Sequence, residues 1–146
     1  MLFGATAASG LWWWRMETEA LPGPINPDDP AQVASGRDVY AQRCAQCHGD
    51  KLQGQPNWRA RLANGRLPAP PHDADGHTWH HPDEQLFGMT KFGLKPYAPP
   101  GYASDMPAFE NVLTDGQIRA VLAFIKSTWP ARIRNLQRKA NLQSEP

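Results

Sequence analysis

Cys44-Ala45-Gln46-Cys47-His48 is a C-x-x-C-H run, and its two cysteines are the only two in a chain of 146 residues. Thiols spaced by two residues can reach both vinyl groups of one haem, and the imidazole that follows then falls over the iron. The same residues can also be read as a redox dithiol or as half of a zinc site. A thioredoxin-like dithiol belongs beside a strand–helix–strand pattern, whereas the flanking sequence reads as helices with no strand of any length. A structural zinc needs two further ligands, conventionally a second close pair, and there is no third cysteine. The run therefore points to one covalently attached haem c.

Upstream of the run, Pro30 to about Arg43 is expected to form a helix. Asp29 can cap it, Pro30 suits the first helical position, and Gln32 stands three beyond the cap as in a capping box. Val33, Gly36, Tyr40 and Cys44 fall roughly on one face. A glycine inside a helix costs about 1 kcal/mol against alanine, so Gly36 marks a place where another helix crosses closely. Residues 16–29 read as a linker, since Leu21-Pro22-Gly23-Pro24 and Asn26-Pro27 cannot hold a helix.

Residues 1–15 read as part of an export signal or a membrane anchor. Leu2 to Trp14 is apolar or small throughout. As a helix it reaches about 20 Å, short of the ~30 Å hydrocarbon core, with no basic residue before it. Trp12-Trp13-Trp14 followed by Arg15 resembles the interfacial end of an anchor.

Downstream, Gly49 and Gly54 precede Trp58-Arg59-Ala60-Arg61, and Leu67-Pro68-Ala69-Pro70-Pro71 cannot be regular structure. Arg59, Arg61 and Arg66 are candidates to pair with haem propionates, or are simply solvated. His72, His77, His80 and His81 cluster with Asp73, Asp75 and Trp79. Such a cluster raises a second metal as a reading; a loop packed over the haem edge, with Trp79 as a buried wedge, is the preferred one. A short helix from Pro82 to about Lys91 follows, with Leu86, Phe87 and Thr90 inward. The Pro-rich loop from Phe92 brings Met106-Pro107 round. Thr114 then caps a last helix, with Gln117 three residues on and Ile118, Val121, Leu122, Ile125 and Trp129 at helical spacing until Pro130. Residues 131–146 form a basic tail with room for a further amphipathic turn or two.

Composition agrees with this layout. Fifteen prolines and 12 glycines make the chain loop-rich, yet 40% apolar residues and 15 basic against 14 acidic residues do not suit a disordered one. A buried macrocycle would supplement a small apolar core. The basic C-terminal end suits an acidic partner, anionic lipid or plain solvation, and no aromatic-interleaved basic repeat points to nucleic acid.

A sixth iron ligand separates electron transfer from catalysis. Met106, Met89, His80 and His81 are the candidates, and Met106 is preferred because rigid, Pro-flanked backbone can aim its thioether. Met89 falls inside the expected short helix and suits the core better.

Taken together, the helix with Gly36 and Tyr40, Cys44–His48, the Pro-rich loop, Met106-Pro107 and the last helix resemble a class I c-type cytochrome over roughly residues 29–129. The resemblance implies an all-α, loop-rich fold with the first and last helices crossing near Gly36, opposite Phe124 or a neighbour. It implies His48 and Met106 as iron ligands, Cys44 and Cys47 as the covalent attachment, and the carbonyl of Pro70 or Pro68 accepting a hydrogen bond from His48. The loop Gly76-His77-Thr78-Trp79-His80-His81 departs from the plain family pattern and looks like an insertion found in some bacterial monohaem cytochromes. The expected function is electron transfer by a monomeric carrier, not an enzyme. It is expected in the bacterial periplasm, tethered to the inner membrane, with a membrane oxidase or dehydrogenase as redox partner. The alternatives are a haem enzyme or gas sensor with a labile Met106 and an active His80 or His81, and a fixed cytochrome subunit of such a membrane complex.

Overall fold

Gly36 decides how the chain packs. A Cβ at this position would overlap the carbonyl oxygen of Ala120 and stand 3.0 Å from the Cβ of Phe124, so only glycine lets the two helices approach this closely. These are α1 (Pro30–Arg43) and α4 (Asp115–Ser127), in a computed structural model that describes residues 23–144. Residues 1–15, read as signal or anchor, and the start of the linker lie outside the described residues; no described helix is long and apolar enough to cross a membrane.

The remaining elements are α2 (Ala45–His48), a single 3₁₀ turn (Thr78–His80), α3 (Asp83–Phe92) and α5 (Ala131–Ser144). The described residues are all helix and loop, as expected.

Both ends of the crossing are set locally. Asp29 Oδ1 accepts from the backbone N–H groups of Ala31 and Gln32. The expected reciprocal contact from Gln32 does not form. Its buried amide accepts from Asn26 N–H at 2.7 Å and donates to the Pro24 carbonyl at 3.1 Å, which ties the linker down onto α1. The core-facing stripe of α1 is accordingly Gln32, Gly36, Val39 and Tyr40, with Val33 only half-buried. At α4 the reciprocal box is complete: Gln117 N–H donates to Thr114 Oγ1, and Thr114 N–H donates to Gln117 Oε1. Such a cap contributes about 1 kcal/mol. Ile118, Val121, Leu122, Ile125 and Trp129 are all buried against α1 and the loops.

The C-terminal tail forms more structure than a turn or two. After Pro130 the chain restarts at once as α5, which packs on the 3₁₀ turn. Ile133 supplies the apolar contact, and polar anchors hold the rest. Gln137 donates to Asp83 Oδ1 at 2.7 Å, and Asn141 Oδ1 accepts from the Asp83 N–H, capping α3 from outside its own chain segment. Lys126, buried in α4, meets both oxygens of the Asp83 carboxylate at 2.6 and 2.7 Å. One carboxylate thus joins α3, α4 and α5.

Candidate functional site

The run at 44–48 sits where α1 ends and α2 begins. Cys44 closes the first helix with its N–H on Tyr40 O, and the N–H groups of Cys47 and His48 both bond to Cys44 O. One tight turn therefore carries both thiols and the imidazole. Tyr40, buried in α1, donates its hydroxyl to the Gly49 carbonyl at 2.9 Å and pins the far end of that turn. Burial pushes the Tyr40 hydroxyl pKa upward, reinforced by the neighbouring Cys44, so it stays a donor. The two cysteines form no disulfide; Cys44 is half-buried and Cys47 exposed. Burial, and secondarily the charge of Cys47, pushes the Cys44 thiol up to about 11.

His48 is buried, and its Nδ1 lies 2.8 Å from the Pro70 carbonyl oxygen. A carbonyl can only accept, so Nδ1 carries the proton and Nε2 keeps the lone pair. Burial lowers the pKa of the ring, with the Pro70 carbonyl acting in the opposite sense. The ring is thus a neutral imidazole with one free donor nitrogen, the form a metal requires. Of the two prolines offered by the sequence, Pro70 and not Pro68 makes this contact.

The Pro70-Pro71 pair is clamped on both sides. Gly54, at φ +68°, lies so close that a Cβ there would come within 2.5 Å of Pro71 N and 2.7 Å of the Pro70 carbonyl carbon. On the other side, a Cβ on Gly76 would overlap the Pro71 carbonyl.

His72, which the sequence placed only in a histidine cluster, belongs to this wall. Its ring stacks on that of His48, with centroids 3.9 Å apart and planes 25° from parallel. Its Nδ1 is 2.8 Å from Thr78 Oγ1, its N–H donates to Leu52 O, and its carbonyl accepts from Trp129 Nε1 at 2.7 Å. Burial, with His48 and His77 as like-charged neighbours, drives its pKa well below the usual value. The only sequence signal was position, two residues beyond the proline that carries the acceptor.

Met106 stands on a different kind of wall. Its N–H donates to Ser104 Oγ at 3.0 Å, and its side chain is half-buried against the core. It borders a cavity of about 630 Å³ whose other walls include Arg66, Gly93, Pro99, Tyr102 and Ala108. The side chains of the 44–48 run do not border this space, so the donor set, rather than cavity shape, decides what fits. Two thiols on one turn, a neutral imidazole with a free Nε2, and a thioether on a separate loop are a donor set that suits a covalently held haem.

The other candidates have other partners. Met89 packs against the core from α3. His80 is exposed and stacks on Trp79 at 3.6 Å, and His81 Nδ1 is 3.2 Å from Gln85 Oε1. Trp79, the expected wedge, is half-buried against the core, donates to Ala74 O at 3.3 Å and does not border the cavity. Among the described residues no group of three or more His, Cys, Asp or Glu could hold a metal ion. Arg66 pairs with Asp105, Arg61 donates to Gly65 O, and Arg59 lies 4.1 Å over the Trp58 ring. Trp58 in turn stacks on His77.

Comparison with known proteins identifies the family. Residues 33–129 match the cytochrome c family model. The chain is 33% identical over 99 residues to a cbb3-type cytochrome c oxidase subunit CcoP of Azospirillum sp. (strain B510), an alignment covering 66% of this chain and 29% of the relative. It is 43% identical over 42 residues to a thiosulfate dehydrogenase of Stutzerimonas stutzeri (strain A1501), covering 25% of this chain and 14% of the relative. The chain thus spans under a third of the length of either relative. No solved structure matches it. A helical fold built on the Gly36 crossing, a C-x-x-C-H turn and a family match across both place the chain in the cytochrome c family.

Proposed function

We propose that this chain transfers electrons through a single covalent haem c held by Cys44 and Cys47, with His48 and Met106 as axial ligands. When bound, such a haem supplies a one-electron ferric/ferrous couple, and the protein's part is to hold and tune it. The observation that carries the reading is the His48 Nδ1–Pro70 contact at 2.8 Å, which leaves Nε2 as the ring's one donor beside two unpaired thiols. Cys44 and Cys47 would hold the macrocycle covalently, and His48 and Met106 would ligate its iron. With both axial positions filled, no place is left for a substrate.

The partner is a membrane oxidase or dehydrogenase, and the compartment is the bacterial periplasm, with residues 1–15 as tether. Similarity to a protein named as an oxidase subunit and to one named as a thiosulfate dehydrogenase supports this partner class. Spectra of the holoprotein test the ligation. The oxidised form should show the long-wavelength charge-transfer band of a thioether ligand, and Met106→Ala should abolish it. The ferrous wild type should not take up CO. Rapid CO binding or peroxide turnover by the native protein would replace the carrier with a sensor or enzyme.

A further inference from the structure

The histidine loop is not fully accounted for by haem attachment. His80 is exposed and His81 is engaged by Gln85, but the ring of His72 is stacked on the imidazole of His48. A flat ring on a flat ring restricts rotation about the second side-chain torsion, which for histidine is broad and roughly two-fold. The Pro70 carbonyl fixes only one nitrogen of His48, so it limits the tilt of the ring but leaves a swing about that contact. The His72 face closes off that swing.

His72 is itself held at three atoms: its N–H on Leu52 O at 2.8 Å, its carbonyl on Trp129 Nε1, and its Nδ1 against Thr78 Oγ1. Thr78 is buried in the 3₁₀ turn, which is backed by α5, and its hydroxyl reaches the Pro71 carbonyl at 3.5 Å. A brace therefore runs from α5 through Thr78 and His72 to His48.

We infer that His72 is a positioning residue for the iron: its ring, anchored by Thr78, sets the orientation of the His48 imidazole and thereby the electronic state and potential of the haem. This deepens the proposed function and rests on His48 being the axial ligand. Replacing imidazole by an apolar side chain also removes a polar group from beside the ligand, which disfavours the more charged ferric state and raises the potential.

The test uses the holoprotein, with His72→Leu and Thr78→Val compared against wild type. Electron paramagnetic resonance of the ferric protein and the reduction potential at fixed pH are the readouts. Both variants should stay low-spin but change the g-value anisotropy, which reports ligand-ring orientation. His72→Leu should change the ferrous/ferric ratio at a given potential by threefold to tenfold in favour of ferrous, about 30 to 59 mV at 59 mV per tenfold. Thr78→Val is nearly isosteric and does not touch His48, so it decides the matter alone if His72→Leu does not fold. Unchanged g-values and potential, with only stability lowered, would make His72 a packing residue and overturn the inference. His48→Ala separates the two levels: if it keeps the wild-type low-spin spectrum, the axial assignment itself is wrong.

Discussion

The two walls of the site are built differently. The proximal wall, His48 with Pro70–His72, is buried or half-buried and held by several hydrogen bonds, with a glycine on either side that admits no Cβ. The distal wall, residues 93–106, is Pro-rich and largely exposed. Met106 is secured locally by one bond from its N–H to Ser104, beside a cavity. A covalent attachment and a strong imidazole ligand need a preformed, rigid seat, whereas a thioether is a weaker donor on an adaptable side chain. On the proposed ligation, the proximal side carries fold stability as well as chemistry, and the distal side carries chemistry at little structural cost.

The largest expected effect follows from forcing the rigid wall apart. Gly54→Val places a β-branched residue at φ +68° and its Cβ against Pro70-Pro71, and should cost about 3 kcal/mol or more. Denaturant unfolding of the holoprotein measures this; a loss under 1 kcal/mol would mean that the wall yields easily. Trp129→Phe keeps the packing of a buried aromatic but leaves the His72 carbonyl without its donor, and should cost about 2 kcal/mol.

Acid should find the same wall. His72 and His77 both have pKa values lowered in the folded protein, mainly by burial. The unfolded chain then binds more protons than the native one once pH drops through the ordinary histidine value. Stability is full above that value and falls as pH drops below it toward the lowered folded values. His77→Gln removes one of these contributors and should flatten part of that slope in unfolding curves taken across the range. An unaltered slope would assign the loss to other groups.

What was legible in the sequence follows from how each feature is encoded. The starts of α1 and α4, with Asp29 and Thr114 as caps, and the Gly36 crossing are written in local pattern, and the structure places them there. Pro70 was one of two prolines, and choosing it required knowing where Gly54 lets the chain turn back. His72 was legible only as one histidine among four, because its role depends on a loop that returns to α2 from across the molecule. The docking of α5 was missed for a related reason. Its anchors, Gln137 and Asn141, are polar, and apolar periodicity is blind to polar residues held by tertiary bonds. Gln32 shows the reverse failure, where a local capping pattern was present but a tertiary partner took the side chain.

The smallest expected effect lies on the distal wall. Arg66 and Asp105 form an ion pair next to Met106, and their side chains are 40% and 60% exposed. At such exposure water screens both charges, and ordering two side chains offsets much of the attraction, so Arg66→Ala should cost within about 0.5 kcal/mol. The small loss should vanish as ionic strength rises past the point where the screening length falls below the pair's surroundings. Local opening should respond more than global stability, since Asp105 is adjacent to Met106 and the pair restrains that loop from outside. Hydrogen exchange at residues 102–106 in Arg66→Ala, measured at low and high salt, reads that opening directly. Faster exchange there at low salt, with unfolding unchanged, is what an adaptable wall on a rigid base requires. A stability loss equal to that of Trp129→Phe would mean that the distal loop is as integral to the fold as the proximal wall, and the contrast between them would fail.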